Sequence, residues 1–313
     1  MNLSTLVKDA GVLSAPKKDY DITNITDDSR KITPGCAFVC IEGSRFDGHS
    51  AAAAAMQAGA SVIIAQKDTG IKEQVLVKDT REAYSIMCGN YLGNPARRLK
   101  LVGVTGTNGK TTTTFLLKDI FERLGEKTGL VGTIKNMAGD EENPSSLTTP
   151  EPMELHTLFA EMVEKGCTCC VMEVSSQALV QKRVAGLHFE AGIFTNLTQE
   201  HLDYHGSLEN YIAAKKKLFE ICDLAVVNFD DANATYMLEG MKCRSITFSA
   251  KQDEADYTAK NIQLKSTGAE YELVGSGVIG RVHFGVPGMF SVYNSMGAAV
   301  CAVELGYPLQ KVI

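Results

Sequence analysis

The densest run of groups able to do chemistry is Val102-Gly103-Val104-Thr105-Gly106-Thr107-Asn108-Gly109-Lys110-Thr111-Thr112. Glycine recurs at every third position, at 103, 106 and 109. Glycines let backbone N–H groups turn inward onto phosphate oxygens, and the N-terminus of a following helix adds partial positive charge. Lys110 then sets a cation on the β/γ-phosphates, and Thr111 brings a hydroxyl to a magnesium ion. A strict phosphate loop carries glycine five residues before Gly109, where this chain has Val104, so the loop is a variant. The alternative is a glycine turn that merely joins a strand to a helix, and Gly109-Lys110-Thr111-Thr112 in that context argues against it.

Three further stretches are polar where a plain sheet would not be. Glu173 ends the apolar run Cys169-Cys170-Val171-Met172 and precedes Ser175-Ser176-Gln177. A carboxylate at the C-terminal end of a parallel strand lies where open α/β sheets bind ligands, and it can hold magnesium. A plain exposed acid is the alternative. His201, Asp203 and His205 alternate, so in an extended chain they share one side and suit a metal or a phosphate. Zinc fits the ligand types, but magnesium beside a nucleotide is the more economical reading. The helix after Ser207 carries Lys215-Lys216-Lys217. Lys215 falls within the stripe of Tyr211, Ala214, Leu218 and Cys222, whereas Lys216 and Lys217 point away. A lysine drawn toward an interior becomes a neutral amine, able to take up carbon dioxide as a carbamate that offers oxygen to magnesium. On the helix alone, a lysine snorkelling to solvent is the preferred reading.

These groups need a scaffold, and the pattern supplies one. Residues 99–104 read as a buried strand and 110–124 as a helix with Leu116, Ile120 and Leu124 at four-residue spacing, closed by Gly125. Strands at 128–131, 168–174, 191–195 and 224–228 alternate with helices at 152–165 and 208–222. Residues 257–284 alternate in hydropathy, and a last helix spans 291–305. The fold class expected is α/β: a small N-terminal α/β domain, then a central doubly wound, mostly parallel sheet with an antiparallel extension. The seam is Asn94-Pro95-Ala96-Arg97-Arg98, giving domains at 1–96 and 97–313. In the first, strands at 37–41, 62–65 and 75–77 flank one helix at 49–58.

Composition narrows the partners. Of 313 residues, 44% are hydrophobic and 22% charged, which is globular. Lys plus Arg is 31 against 37 Asp plus Glu, and a net charge of -6 argues against nucleic acid as partner. No apolar run reaches the ~18 to 20 residues of a membrane span, and the start lacks a signal-peptide core. The expectation is a cytoplasmic protein with no membrane partner. Nine cysteines are an odd count without regular spacing, and several lie in apolar runs. They read as reduced, small hydrophobes rather than a zinc cluster at Cys167, Cys169 and Cys170.

Taken in order, six blocks resemble the Mur ligase family: Asp28-Ser29-Arg30; 106–112; Leu147-Thr148-Thr149-Pro150; 172–177; 195–206 with Ala213-Ala214-Lys215; and Pro287-Gly288-Met289-Phe290 with Asn294. They span nearly the whole chain. Within the family the likeness is greatest to the branch that adds the third amino acid of the peptide. The resemblance implies an ATP-dependent ligase of peptidoglycan synthesis, serving cell-wall biogenesis, cell shape and division. ATP would phosphorylate the terminal carboxylate of UDP-N-acetylmuramoyl-L-Ala-D-Glu, and the amine of diaminopimelate or lysine would attack the acyl phosphate. Two anions must meet, so charge neutralisation by magnesium and Lys110 is the main catalytic task.

The resemblance also implies roles for individual residues. Gly106, Thr107, Asn108, Gly109, Lys110, Thr111 and Thr112 would bind ATP, with Asn294 on the adenine side. Lys110, Glu173, His201 and Lys215 would be catalytic. Thr111 and Glu173 would hold one magnesium ion; His201 and carbamylated Lys215 would hold a second. Thr148, Thr149, Ser175, Gln181 and Arg183 would contact the UDP-N-acetylmuramoyl-dipeptide, and Ser29 with Ser44, Arg45 and Phe46 its UDP end. Leu147, Met289 and Ser291 depart from the family's usual Asn, Arg and Asn. The family's third domain, which supplies the amino-acid pocket, is not recognisable in the sequence, so the expectation is a two-domain fragment with incomplete turnover, monomeric. The alternatives are a folylpolyglutamate synthase of the same fold, a P-loop kinase or NTPase, and a non-catalytic binding module.

Overall fold

Short runs of β-branched and small apolar residues make the first sheet. The structure is a computed structural model and describes residues 1–43, 46–200 and 202–313. In chain order the strands are β1 (Val12–Ser14), β2 (Ile25–Thr26), β3 (Ala37–Val39), β4 (Val62–Ala65) and β5 (Gln74–Val77). They lie side by side as β1-β5-β4-β3-β2. β2 to β5 are parallel, and β1 joins antiparallel. Alternate residues feed two cores: Ala37, Val39, Val62 and Ile64 enter one, while Phe38, Ile63 and Ala65 enter the other. A sheet buried on both faces explains why β3 and β4 read as unbroken apolar runs.

Two features here differ from expectation. The helix expected at 49–58 is a 3₁₀ turn, Gly48–Ala51, that relaxes into an α-helix only at Ala52–Gln57. Asp47 Oδ1 accepts from the His49 backbone N–H at 3.0 Å and tightens that start. A helix at Thr80–Tyr91 was not expected at all. Its signal was present: Asp79 caps it by accepting from the Glu82 N–H at 2.9 Å, an Asp-x-x-Glu start.

The second sheet contains β6 (Lys100–Thr105), β7 (Thr128–Val131), β8 (Lys135–Ala138), β9 (Glu141–Pro144), β10 (Cys169–Glu173), β11 (Phe189–Phe194), β12 (Cys222–Asn228), β13 (Arg244–Ser249), β14 (Tyr257–Lys265), β15 (Gly268–Gly275) and β16 (Val278–Phe284). The order is β16-β15-β14-β13-β12-β11-β6-β10-β7-β8-β9. From β7 to β14 every pairing is parallel. Antiparallel strands extend both edges: β15 and β16 at one, β8 and β9 at the other. The extension at 257–284 is therefore present. The β8–β9 hairpin was missed because its residues are mostly polar, although Gly139-Asp140 is a two-residue hairpin turn.

Helix Lys110–Arg123 and helix Met289–Glu304 pack into one core with β6, β11 and β12. Leu117 and Phe121 enter that core fully, whereas the expected stripe of Leu116, Ile120 and Leu124 forms its half-buried flank. The helix expected at 208–222 ends at Lys216, continues as a 3₁₀ turn over Lys217–Glu220, and yields to β12 at Cys222. Cys222 already pairs with Phe189 there, so sheet bonding takes the backbone that a longer helix would need.

Two compact units result. One contains Met1–Pro95 with Glu151–Thr157 and Gln181–Gly186; the other contains Ala96–Pro150, Leu158–Val180 and Leu187–Ile313. Unlike two unbroken segments meeting at 96, the first unit thus takes in two short returns of the chain. Arg183 shows why: it is paired with Glu151 at 2.7 Å, and its carbonyl accepts from Ser85 Oγ at 2.9 Å.

Candidate functional site

Strand order creates the site. β6 lies between β10 and β11, all parallel, with Val104 opposite Glu173 and Thr105 opposite Phe194. The loop after β6, the Glu173 carboxylate and the Thr195-Asn196 turn therefore leave the sheet side by side at its C-terminal edge.

The loop is built by close approach. Gly106 has φ 149° and Gly109 φ 86°, in the region that favours glycine. A Cβ on Gly106 would collide with Thr195 Oγ1, and one on Gly109 with Asn294 Oδ1. Gly109 is the N-cap of the helix Lys110–Arg123. Thr195 Oγ1 donates to the Asn108 carbonyl at 2.7 Å, and Asn196 brackets Asn108 through two bonds of 3.0 Å. The Thr107 N–H donates to the Asn196 carbonyl at 2.8 Å. Lys110 Nζ curls back over the loop and donates to the carbonyls of Gly106 at 2.9 Å and Thr107 at 2.8 Å. Burial holds its ammonium below the usual lysine range, partly opposed by Glu173 and Glu200.

Glu173 is 1% exposed, not the plain surface acid of the alternative reading. Its Oε1 accepts from Thr111 Oγ1 and from the Thr133 N–H, each at 2.9 Å, and its Oε2 from Thr133 Oγ1 at 3.0 Å. Thr133 Oγ1 is also within hydrogen-bond distance of Thr148 Oγ1, at 3.0 Å, and with its one proton on the carboxylate it accepts there. Thr149 Oγ1 donates to the Glu173 carbonyl at 2.8 Å and accepts from the Ser175 N–H at 3.0 Å. Thr111, Thr148, Thr149, Glu173 and Ser175 are thus one hydrogen-bonded group. Thr133 escaped the sequence reading, although its place one glycine past the end of β7 matches that of Glu173 at the end of β10.

Lys215 is 2% exposed, so the snorkelling reading fails. Its Nζ donates to the Gly106 carbonyl at 2.9 Å and stands 4.4 Å from the centre of the Tyr211 ring. Burial pushes its pKa down to about 7, with the nearby Lys110 cation acting the same way and Glu200 opposing. Tyr211 OH is 3.3 Å from Thr107 Oγ1, which ties the same helix to the loop.

Beside the loop is a cavity of about 330 Å³ whose walls include Gly109, Thr112, Asn196, Asp230, Tyr293 and Asn294. Asn228 Nδ2 donates to the Thr195 carbonyl at 2.7 Å, and Asp231 Oδ2 accepts from the Leu197 N–H at 2.8 Å. Tyr293 OH donates to Asp230 Oδ2 at 3.0 Å. Asn228, Asp230 and Asp231 were missed, yet polar residues ending the apolar run 224–227 repeat the pattern that singled out Glu173.

The other expected positions divide. Asp203 and His205 lie on the helix Leu202–His205, not on an extended strand, so alternation does not set them on one side. His205 Nε2 is 2.9 Å from Ser176 Oγ. His201, Ser44 and Arg45 lie outside the described residues. The first unit carries Ser29, exposed at the start of a 3₁₀ turn capped by Asp28, together with exposed Phe46. It also carries Gln181, whose Oε1 accepts from Arg183 Nη2 at 2.7 Å. Cys169 and Cys170 are consecutive strand residues, so they point to opposite faces, against a shared metal. Among the described residues, no group of three or more His, Cys, Asp or Glu could hold a metal ion, and no helix is long and apolar enough to cross a membrane.

Comparison with known proteins gives matches over both units. The Mur ligase middle domain matches residues 104–302, and the Mur ligase family catalytic domain matches residues 21–90. The UDP-N-acetylmuramoyl-L-alanyl-D-glutamate--2,6-diaminopimelate ligase of Clostridium perfringens is 45% identical over 94% of this chain and 62% of its own length. The protein of the same name from Listeria monocytogenes is 38% identical over 100% of this chain and 66% of its own length. A solved structure of such a diaminopimelate ligase superposes with a TM-score of 0.82 at 28% identity, covering 93% of this chain and 61% of that one. The chain therefore spans a little under two thirds of the length of these relatives.

Proposed function

This chain belongs to the Mur ligase family, and from that premise we propose that it is the nucleotide- and UDP-substrate-binding part of an ATP-dependent amide ligase. The reaction adds the third amino acid, diaminopimelate as in the named relatives, to UDP-N-acetylmuramoyl-L-Ala-D-Glu during peptidoglycan synthesis in the cytoplasm. The observation that carries the reading is the buried Lys215 amine against the Gly106 carbonyl of the phosphate loop. A kinase-type loop leaves that amine without a role.

In this reading, residues 106–112 bind the ATP phosphates through backbone N–H groups and the helix N-terminus. Lys110 leaves its two loop carbonyls to meet the transferred phosphate. Asn294, Tyr293 and Asp230 line the nucleoside side. Thr148, Thr149, Ser175, Gln181 and Arg183 hold the dipeptide, and Ser29, Ser44, Arg45 and Phe46 its UDP end. Magnesium fits the donor set, because Thr111 and Glu173 offer hard oxygen ligands 2.9 Å apart. When bound, it neutralises charge between the phosphate and the carboxylate that attacks it. Lys215 fits carbamate formation: burial favours the neutral amine, and carbamylation replaces a buried cation with an oxygen ligand, to be shared with His201 on a second ion. The chain acts as a monomer.

Calorimetric titrations test the reading. The chain is expected to bind Mg-ATP and, separately, UDP-N-acetylmuramoyl-L-Ala-D-Glu, each saturably. Absence of binding by the UDP dipeptide at concentrations where ATP saturates counts against it.

A further inference from the structure

Cys222 and Cys243 have no part in the site above, yet their sulfur atoms lie 3.9 Å apart. Cys222 is the first residue of β12, and Cys243 immediately precedes β13. The two strands are parallel with Leu224 opposite Arg244, so Cys243 stands opposite Asp223, one residue along from Cys222. With strands ~4.8 Å apart and a rise of ~3.3 Å, the Cα atoms are about 6 Å apart. That lies within the span a disulfide bridges without backbone movement. Because Cys243 precedes its strand, the pleat does not dictate its direction, and its sulfur turns toward Cys222.

Both cysteines line a cavity of about 680 Å³ whose wall also carries Lys216, Lys242, Arg244, His188, Glu220 and Asp223; His188 is paired with Asp223 at 2.9 Å and Arg244 with Glu304. The cavity sits at the N-terminal ends of β12 and β13. Asn228, at the other end of β12, is six residues and about 20 Å away, so this cavity is separate from the nucleotide site. Cys243 alone among the nine cysteines is half-exposed; Cys222 and the other seven are buried. Burial and the neighbouring Cys243 hold the Cys222 thiol above the usual range.

We propose that Cys222 and Cys243 are a thiol pair that exchanges with low-molecular-weight disulfides and closes reversibly to an intramolecular disulfide. The thiolate of half-exposed Cys243 attacks one sulfur of the small disulfide RSSR, breaking its S–S bond and releasing RS⁻, which takes up a proton. Cys222 then loses its proton and attacks the Cys243 sulfur, expelling the second RS⁻. Two protein thiols and RSSR thus give one protein disulfide and two RSH. The wall carries charges of both signs, so the geometry of the two sulfur atoms, and not the charge of RSSR, carries the exchange; oxidised glutathione is the probe.

The test is incubation of the folded full chain with oxidised glutathione, an alkylating quench and peptide mass analysis. A cross-linked peptide pair containing Cys222 and Cys243, reversed by dithiothreitol, is expected. Cys222→Ser should instead trap one glutathione on Cys243, and Cys243→Ser should give neither product. The proposal is overturned if the wild-type chain keeps both thiols free, or if a Cys243 adduct persists there unresolved. The wild-type result decides even where a variant fails to fold.

Discussion

Lys110 and Lys215 donate to one acceptor: each Nζ lies 2.9 Å from the Gly106 carbonyl oxygen. Two amines held by one carbonyl, in a buried setting, disfavour two full positive charges. The burden falls on Lys215, the more buried of the two, whose pKa drops to about 7. The phosphate loop thus meets a cation on one side and an amine ready to be neutral on the other.

A pH dependence of stability follows. Lys215 moves from an ordinary 10.5 in the unfolded chain to about 7 in the folded one. Between those values the unfolded chain binds the extra proton, so stability rises with pH across that window. The penalty is present in full below about pH 7 and gone above about 10.5. It amounts to a few kcal/mol. Urea midpoints from pH 7 to 9.5 should climb in the wild type, and the climb should shrink in Lys215→Met.

Thr133 should behave as a positioning residue for Glu173. Thr133→Val removes the hydroxyl bonds to Glu173 and Thr148, and a hydrogen bond to a charged group is worth ~1.5–3 kcal/mol. Magnesium-dependent ATP affinity, read by calorimetry with and without EDTA, should fall about tenfold. Thr133→Ser should restore it. Equal affinity in the valine variant would remove Thr133 from the site.

Gly109→Ala tests the loop's shape. The substitution sets a methyl against Asn294 Oδ1 at a positive φ, at a cost of ~1–3 kcal/mol. Nucleotide binding should be lost and the melting temperature lowered. In Gly125→Ala, also at positive φ but with open space around it, the melting temperature should fall and ATP binding should stay.

The sequence disclosed the strand–loop–helix unit because its signals are local: a buried strand, a glycine turn and a helix start within about twenty residues. Glu173 was legible for the same reason, as a charge at the end of an apolar run. Lys215 was legible only as an anomaly within a stripe. Its contact with Gly106 bridges 109 residues in sequence, and no periodicity encodes such a partner. Thr133 and Asp231 were missed because their side chains act on elements distant in sequence. The helix at Thr80–Tyr91 is a different failure, since Asp79 and Glu82 announced its start within four residues. The alternation of Asp203 and His205 misleads because the two-residue period falls where one turn of helix forms, at Leu202–His205.

The central claim is that the phosphate loop and the Lys215 amine make one site, and carbon-13 NMR of the chain in labelled bicarbonate at pH 8 tests it most directly. One carbamate resonance is expected, missing from Lys215→Arg, that shifts when Mg-ATP is added. A spectrum without that resonance, or one in which it survives in Lys215→Arg, would contradict it.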